Sequence, residues 1–482
     1  MTKQNVNDII LKLLLFSLIF TFLFAGKINI IDFGFVNLYA YRLFLLLAFT
    51  YLAVTKQISF PHQRPTRWLL YFMFWLLIYG LVSLFWIENQ FFAMKQISYT
   101  LWGGLTFIVI LSLCNKVHDS LRVVKKSWLA AFVILAFFAI YEIGSGVHFS
   151  GTFTKNLEQY DSIRSTFNSP FATFGNPNDY AAFLVFSLIL FFLRLARPNR
   201  IFPIVFIILT VFIIYYTRSV ISMYAVYWVI LAALFLIFFS NKQRILRLQL
   251  YFTRKSFVKL KKNLIPLVYI SFLFLFAFFY SVSSNPIVTP VENGKVKFVE
   301  VEKSKLGVRI LNEKVSEFYI VERETTVDPT QTESFAVRKN LILNGFDFAK
   351  ESWFMGIGAG QFEHRILSRK CSYPTMNNPN PHNFFIEVFS QYGVIPIALL
   401  GIFMLSIVVF LIKNFKQVYS KNSSMESSLL FLTIPAYLLV SNAPSAFLSL
   451  PMNWIILTLI AYSAEKLMKN KVTPIHHSEE NG

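Results

Sequence analysis

The chain has 482 residues, 55% of them hydrophobic and 18% aromatic, with 55 phenylalanines. This excludes a soluble globular domain, because apolar runs of about 18–22 residues recur, each long enough to cross a hydrocarbon core of roughly 30 Å. The net charge of +20 does not point to nucleic acid, because the surplus Lys and Arg gather in alternate short loops, as they do on the cytoplasmic side of membrane proteins.

In lipid every backbone polar group must be satisfied within the segment, so the apolar runs are expected to be helices. About twelve spans are expected, near 9–25, 35–54, 68–87, 97–114, 128–145, 179–193, 201–216, 220–239, 264–282, 385–412, 428–443 and 447–463. The run from Ile9 to Phe24 has no small-residue cleavage site after it and reads as a retained helix. Cationic loops carry Lys56, Arg64 and Arg67, then Lys116, Arg122, Lys125 and Lys126, then Arg194, Arg197 and Arg200. The basic stretch 241–263, the segment with Lys413, Lys416 and Lys421, and the tail with Lys466, Lys469 and Lys471 continue the alternation. The expectation is an all-α polytopic membrane protein with both termini cytoplasmic. Residues 1–282 hold helices 1–9 and an outer loop at 146–178; 283–384 form a large extracytoplasmic loop between helices 9 and 10; 385–482 hold helices 10–12 and the tail.

Within the large loop, "VENGKVKFVEVEKSKLGVRI" alternates apolar and polar residues as a β-hairpin does. The later "FAVRKNLILNGFDFAKESW" has helical spacing and reads as an amphipathic helix on the membrane surface. Cys114 and Cys371 fall on opposite sides, which gives no disulfide framework. No His pair has metal-ligand spacing.

Four polar stretches fall on the outer side: Arg164 to Ala181, Tyr215 to Ser222, Val337 to Phe362, and Asn380 to Leu400. Arg218 stands between two apolar runs with almost no loop. A cation there either faces an anion or a water-filled cavity, or snorkels to the headgroups. His382 either starts a helix capped by Asn383 or acts as a general base, with a pKa near 6.5 when unperturbed. Glu387 points roughly 140° around a helix from His382 and is expected to partner another helix. "GIGAGQF" has no strand before it, so a glycine-dependent tight turn is a better reading than a nucleotide loop.

"GNPNDYAAFL", "TRSVIS", an arginine followed at fixed distance by G-x-G-x-G-x-F, and "HNFFIEVFSQYGVIPIALLG" occur in this order. Together, over about residues 160–415, they resemble the O-antigen ligase and polysaccharide polymerase superfamily. The most specific piece is His-Asn-(x)3-Glu-(x)5-Gly, here His382, Asn383, Glu387 and Gly393. The resemblance implies a metal-independent membrane glycosyltransferase with no cofactor, using sugar chains carried on undecaprenyl pyrophosphate. It implies His382 as activator of the acceptor hydroxyl and Arg218 and Arg338 as pyrophosphate ligands. Arg164 is the displaced counterpart of a further family arginine, Ser169 occupying the nearer position. Asn176, Asn178, Asn383, Glu387 and Gly393 are implied as supporting residues.

Chemistry agrees. Arginines bind phosphate oxygens bidentately and stay charged, so two or three can neutralise a departing pyrophosphate as a metal ion does elsewhere. The expected partners are the lipid-linked oligosaccharide, membrane lipids and other polysaccharide-assembly proteins, with no nucleic acid. "GNPNDYA" is most similar to Gram-positive members of the teichuronic-acid-polymerase type, which favours a polymerase over a ligase. A flippase or transporter is the alternative of another class, disfavoured because the charges lie at the outer face and not at the midplane.

Overall fold

The structure, a computed structural model, describes residues 3–22, 29–32, 37–145, 169–193, 201–249, 333–375, 378–414 and 425–472. The helices in these segments are α1 (Lys3–Thr21), α2 (Ala40–Val54), α3 (Arg64–Ser83), α4 (Gln90–Lys116), α5 (Ser120–Ser145), α6 (Pro177–Phe192) and α7 (Ile201–Thr217). They continue with α8 (Val220–Gln249), α9 (Glu333–Glu351), α10 (Gln361–Leu367), α11 (Phe384–Tyr392), α12 (Val394–Lys413), α13 (Met425–Val440) and α14 (Pro451–Val472). Each expected span coincides with helix except the one near 264–282, which lies outside the described residues, as do the expected hairpin and Arg164. Among the described residues, α1 from Gln4, α3, α4, α5 and α12 are long and apolar enough to cross a membrane, and α2, α6, α13 and the apolar parts of α7 and α8 are shorter.

Two departures from the expected pattern have local causes. Asn29–Asp32 (β1) and Asn37–Tyr39 (β2) pair antiparallel, Asn29 opposite Tyr39, so the segment expected to be helical from residue 35 starts as a strand. The span expected near 385–412 is two helices, α11 and α12. Gly393 separates them with φ 83° and ψ −169°, a conformation essentially reserved for glycine.

That break is held by the glycine loop after α9. Ile357 N donates to Ser390 O at 2.9 Å, Gly358 N to Gln391 O at 3.0 Å, and Val394 N to Phe354 O at 3.0 Å. Trp75 Nε1 donates to Tyr392 O at 3.3 Å. The last carbonyls of α11, which no helix can satisfy internally, thus find their donors across the fold. Gly356, Gly358 and Gly360 all have positive φ, and a Cβ on Gly360 would lie 2.2 Å from Phe92 O. The tight-turn reading of "GIGAGQF" holds. A Cβ on Gly393 would lie 2.4 Å from Met355 O. Gly393→Ala is therefore expected to cost several kcal/mol, the sum of a strained φ/ψ of about 1–3 kcal/mol and a displaced loop. A lowered thermal midpoint of the purified protein in detergent is the measurement.

The core runs through α1–α8 and α11–α14 as one cluster, in which Leu15, Leu45, Phe72, Phe107, Phe183 and Leu457 are fully buried. A satellite core of Leu341, Phe348, Ile357, Phe362, Ile366 and Ile386 joins α9, α10 and α11. The apolar face of α9 thus packs on protein. Gly345 lets α9 approach α11, since a Cβ there would fall 2.3 Å from Ile386 Cγ2.

The helix ends sort into two sets. At one end, Glu465 Oε1 of α14 accepts from His62 N (2.6 Å), Gln63 N (3.2 Å) and Thr66 Oγ1 (2.8 Å) before and within the first turn of α3. Ser120 Oγ donates to Tyr462 Oη at 2.8 Å and Lys466 pairs with Glu426 at 2.6 Å. Lys56, Lys116 and Lys413 sit at this end. At the other end gather the starts of α4, α6, α8 and α11, the end of α13 and the glycine loop. Asn89, Asn176 and Asn383 cap the helices starting there, each cap being worth about 1 kcal/mol.

Candidate active site at one end of the bundle

His382 lies just before α11, not within it, and its backbone has φ 49°. It is clamped on both sides to the loop after α13: His382 N donates to Ser445 O at 3.1 Å and Phe384 N to Ser441 O at 3.0 Å. Asn383 is the cap of α11, its Oδ1 accepting from Ile386 N at 3.0 Å. The two readings of this stretch therefore fall on adjacent residues, the cap on Asn383 and a chemically available imidazole on His382.

His382 Nε2 is 3.1 Å from Asn378 Nδ2. Nδ1 is buried without a hydrogen-bond partner, and the backbone of Ala443 is a polar neighbour of the ring. With Asn378 donating to Nε2, the neutral ring carries its proton on Nδ1 and its lone pair on Nε2. Burial pushes the imidazole down from 6.5 to about 4; the Arg338 guanidinium pushes the same way and the Ala443 backbone opposes both. The ring is thus neutral throughout the physiological range, and the ordinary value expected from the sequence is corrected downward.

Arg338 is on the second turn of α9, and α9 packs along α11. It is half-buried, and burial pulls its guanidinium below its usual value. Among the described residues it is the arginine whose charge is felt at His382. The two residues are 44 apart in sequence; the packing of α9 along α11 brings the charge of Arg338 within electrostatic range of His382.

Asn176 and Asn178 open α6. Asn176 Oδ1 accepts from Asn178 N at 2.9 Å and Asp179 N at 3.0 Å. Its Nδ2 donates to Ser445 Oγ, and the buried Asp179 carboxyl is bonded to the Ser445 backbone. Ser445 therefore links the Asn-Pro-Asn turn to the backbone of His382. Sequence reasoning missed Ser445, which carries no motif, and passed over Asp179 inside the quoted "GNPNDYA". Glu387 does partner other elements: its Oε2 accepts from Leu448 N at 3.3 Å, and the side chain of Gln96 on α4 lies close to its carboxyl.

Arg218 sits between α7 and α8 with φ 55°, its side chain exposed and its N–H donating to Tyr215 O at 3.2 Å. The bond from Asn176 to Ser445 places the start of α6 beside the end of α13. Only eight residues separate the end of α6 from the start of α7, so the α7–α8 turn returns to that end. Arg218 and His382 share one end of the bundle. Among the described residues, six of the eight non-glycine residues with positive φ are found at this end: Ala172, Arg218, Trp353, Phe354, Arg369 and His382. Such conformations collect at functional sites.

A further arginine at this end, Arg42, went unread in the sequence. Arg42 on α2 is buried within an aromatic cage, 4.6 Å from the ring centre of Tyr39, 5.0 Å from Trp102 and 6.0 Å from Tyr99. Cation–π contacts of this kind stabilise a desolvated guanidinium.

Residues 204–401 match the family model described as O-antigen ligase. The resemblance to the O-antigen ligase and polysaccharide polymerase superfamily holds. The matched segment contains Arg218, Arg338, His382, Asn383, Glu387 and Gly393. The chain is also 23% identical over 463 residues to the teichuronic acid biosynthesis protein TuaE of Bacillus subtilis (strain 168), across 92% of this chain and 82% of that protein. The apolar helices suit a multi-pass membrane protein, and the chain is similar to the O-antigen ligase family over 204–401 and to this teichuronic acid biosynthesis protein over most of its length.

Proposed function

We propose that this protein is a glycosyltransferase that moves a glycan from undecaprenyl pyrophosphate to an acceptor sugar hydroxyl on the outer side of the cell membrane, acting as a polysaccharide polymerase. The observation that carries the reading is a buried, neutral His382 where the helix bundle ends, just before the helix that packs against the one bearing Arg338 and within the field of that arginine. Twelve spans with both termini inside complete the proposal, supported by lysines at the end opposite His382.

In the reaction, the acceptor oxygen attacks the anomeric carbon and forms the new glycosidic bond. The bond from that carbon to the pyrophosphate oxygen breaks, and its electron pair leaves with the carrier. His382 takes the hydroxyl proton at Nε2, displacing Asn378 from that nitrogen. Arg338 and Arg218 hold the pyrophosphate oxygens, with Arg164 a third candidate, and oppose the charge that develops there. The energy of the sugar–pyrophosphate bond drives the transfer, so no nucleotide is needed. Arginine forks supply the charge, and the proposal includes no metal.

The bound pyrophosphate also tunes the base. Arg338 depresses the His382 pKa in the free protein; an anion beside Arg338 offsets that field. The acid limb of kcat/KM, which reports the free enzyme, is expected well below pH 6.5. The limb of kcat, which reports the complex, is expected at higher pH. The linkage to stability has one sign. Between about pH 4 and 6.5 the unfolded chain binds a proton that the folded chain refuses, so His382 adds stability as pH rises through that window and nothing further above it.

The deciding experiment incubates purified protein with a lipid-linked oligosaccharide and resolves the products by length. A ladder of longer chains, unchanged by a chelator, is the expected result. Transfer of one finished chain to a different acceptor, with no ladder, establishes the ligase reading, which the family model's own description favours. A strict Mg²⁺ requirement removes the metal-independent mechanism.

A further inference from the structure

The same end of the bundle carries a cleft of about 180 Å³ that the reaction above does not use. Its walls include Trp86 after α3, Glu88 before α4, Glu351 and Ser352 at the end of α9, and Gln361 and Arg365 of α10. Its floor is Gly356 and Ile357.

The chemistry of the walls selects a class of ligand. Trp86 is half exposed and is fixed from behind by Tyr79, whose ring lies edge-on at 5.7 Å. A half-exposed indole offers apolar area together with a polar edge. Glu88 is bonded to Lys370 and lies 3.4 Å from His364, both through Oε2. The hydrogen bond from Lys370 is the chief cause holding its carboxyl below the ordinary value. Glu351 receives Arg365 on Oε2. Each carboxylate keeps a second oxygen for a donor from outside, and Arg365 keeps further N–H groups. Arg365 in the wall and Lys370, bonded to Glu88 from outside the lining, offset the two carboxylates, so neither an anion nor a metal cation finds a matched field. A neutral molecule with many hydroxyls, both donating and accepting, and with one apolar face for the indole fits all of these groups. The volume is below the roughly 300–1,000 Å³ typical of drug-sized ligands and suits a single ring.

The position fits a chain that is long on one side of the reacting bond. The floor is stitched to the end of α11 through Ile357 N to Ser390 O and Gly358 N to Gln391 O. The beginning of α11 follows His382 directly, about 10–12 Å away at 1.5 Å per residue. α9 makes the same bridge, with Arg338 near its start and Glu351 at its end, about 20 Å apart by the same rise. The adjacent Trp353, 88% exposed, and Phe354 both have positive φ, a costly conformation for bulky residues.

We infer that this cleft, lined by Trp86, Glu88, Glu351 and Arg365, is a saccharide subsite that grips a sugar ring of the glycan at a distance from the bond being made. The inference rests on the glycosyltransferase reading for its biological sense, but its binding chemistry is testable without turnover.

The test uses the full-length protein in nanodiscs and two probes: lipid-free oligosaccharides cut from the surface polysaccharide of the source cell, and the undecaprenyl-pyrophosphate-linked oligosaccharide. Saturation-transfer NMR and titration give affinities for wild type, Trp86→Ala, Trp86→Phe and Glu351→Gln, with thermal midpoints recorded on the same samples. Trp86→Ala is expected to weaken saccharide binding at least tenfold, Trp86→Phe to restore most of it, and Glu351→Gln to weaken it severalfold. Loss confined to the lipid-free probe assigns the cleft to the acceptor chain; loss confined to the lipid-linked probe assigns it to the donor. Unchanged affinity for both probes in folded Trp86→Ala and Glu351→Gln overturns the subsite, and so does failure of wild type to bind either probe. A wild-type protein that binds saccharide but never extends it fails the glycosyltransferase reading alone. One that extends chains with no effect of the variants on binding fails the cleft alone.

Discussion

Replacing His382 by alanine is expected to abolish chain extension, lowering the rate by about 10²–10⁴, the usual contribution of a positioned general base. The variant should remain folded and still bind the lipid-linked donor. The structure separates this loss from a capping effect. Asn383 provides the side-chain cap, through its bond to Ile386 N, so Asn383→Ala should cost about 1 kcal/mol of stability and leave the chemistry in place. The backbone bond from His382 N to Ser445 O survives the alanine change. The remaining complication is φ 49°, where alanine is less at ease than histidine. His382→Asn answers it, because asparagine tolerates this region and lacks a basic nitrogen. Thermal stability and product length are measured on the same samples of all three variants. If His382→Ala or a well-folded His382→Asn extends chains at near the wild-type rate, the base is another group or the attack is unassisted.

The architecture was largely legible in the sequence because lipid leaves the chain few options. A run such as 97–114 has to be a helix, and α4 covers it. The glycine turn was legible for a similarly strict reason, since positive φ at Gly356, Gly358 and Gly360 admits little else. What could not be read depends on contacts between distant segments. The break at Gly393 looks like an ordinary glycine in an apolar run until the loop carrying Met355 is laid against it. The pairing of His382 with Arg338 requires α9 to fold back along α11, and a periodicity does not encode the neighbour of a helix. Ser445 supports His382 through a backbone carbonyl, an interaction that leaves no residue-type signature. Arg42 lay in a span that the apolar count had already explained, and only the gathering of Tyr39, Tyr99 and Trp102 shows why a cation is tolerated there.

The arginines give a prediction with two separable readouts. If Arg338 holds the departing pyrophosphate, Arg338→Ala should lower the rate by about 10²–10³, the scale seen when one stabilising donor is removed from a transition state. It should also remove a positive charge that depresses His382, so the acid limb of any residual activity moves to higher pH. A merely structural arginine would reduce activity through misfolding and leave the limb where it was. Arg338→Lys keeps the field and loses the planar fork, so it should keep the limb of the wild type while losing much of the rate. Arg218 differs because it is exposed and no shift of His382 is traced to it. Arg218→Lys should therefore cost activity without moving the limb and without lowering the thermal midpoint, because ligation of phosphate depends on the fork and snorkelling to headgroups does not. Full activity in Arg218→Lys returns that residue to the snorkelling reading. Full activity in Arg338→Ala removes Arg338 from the site and leaves burial alone to hold His382 neutral.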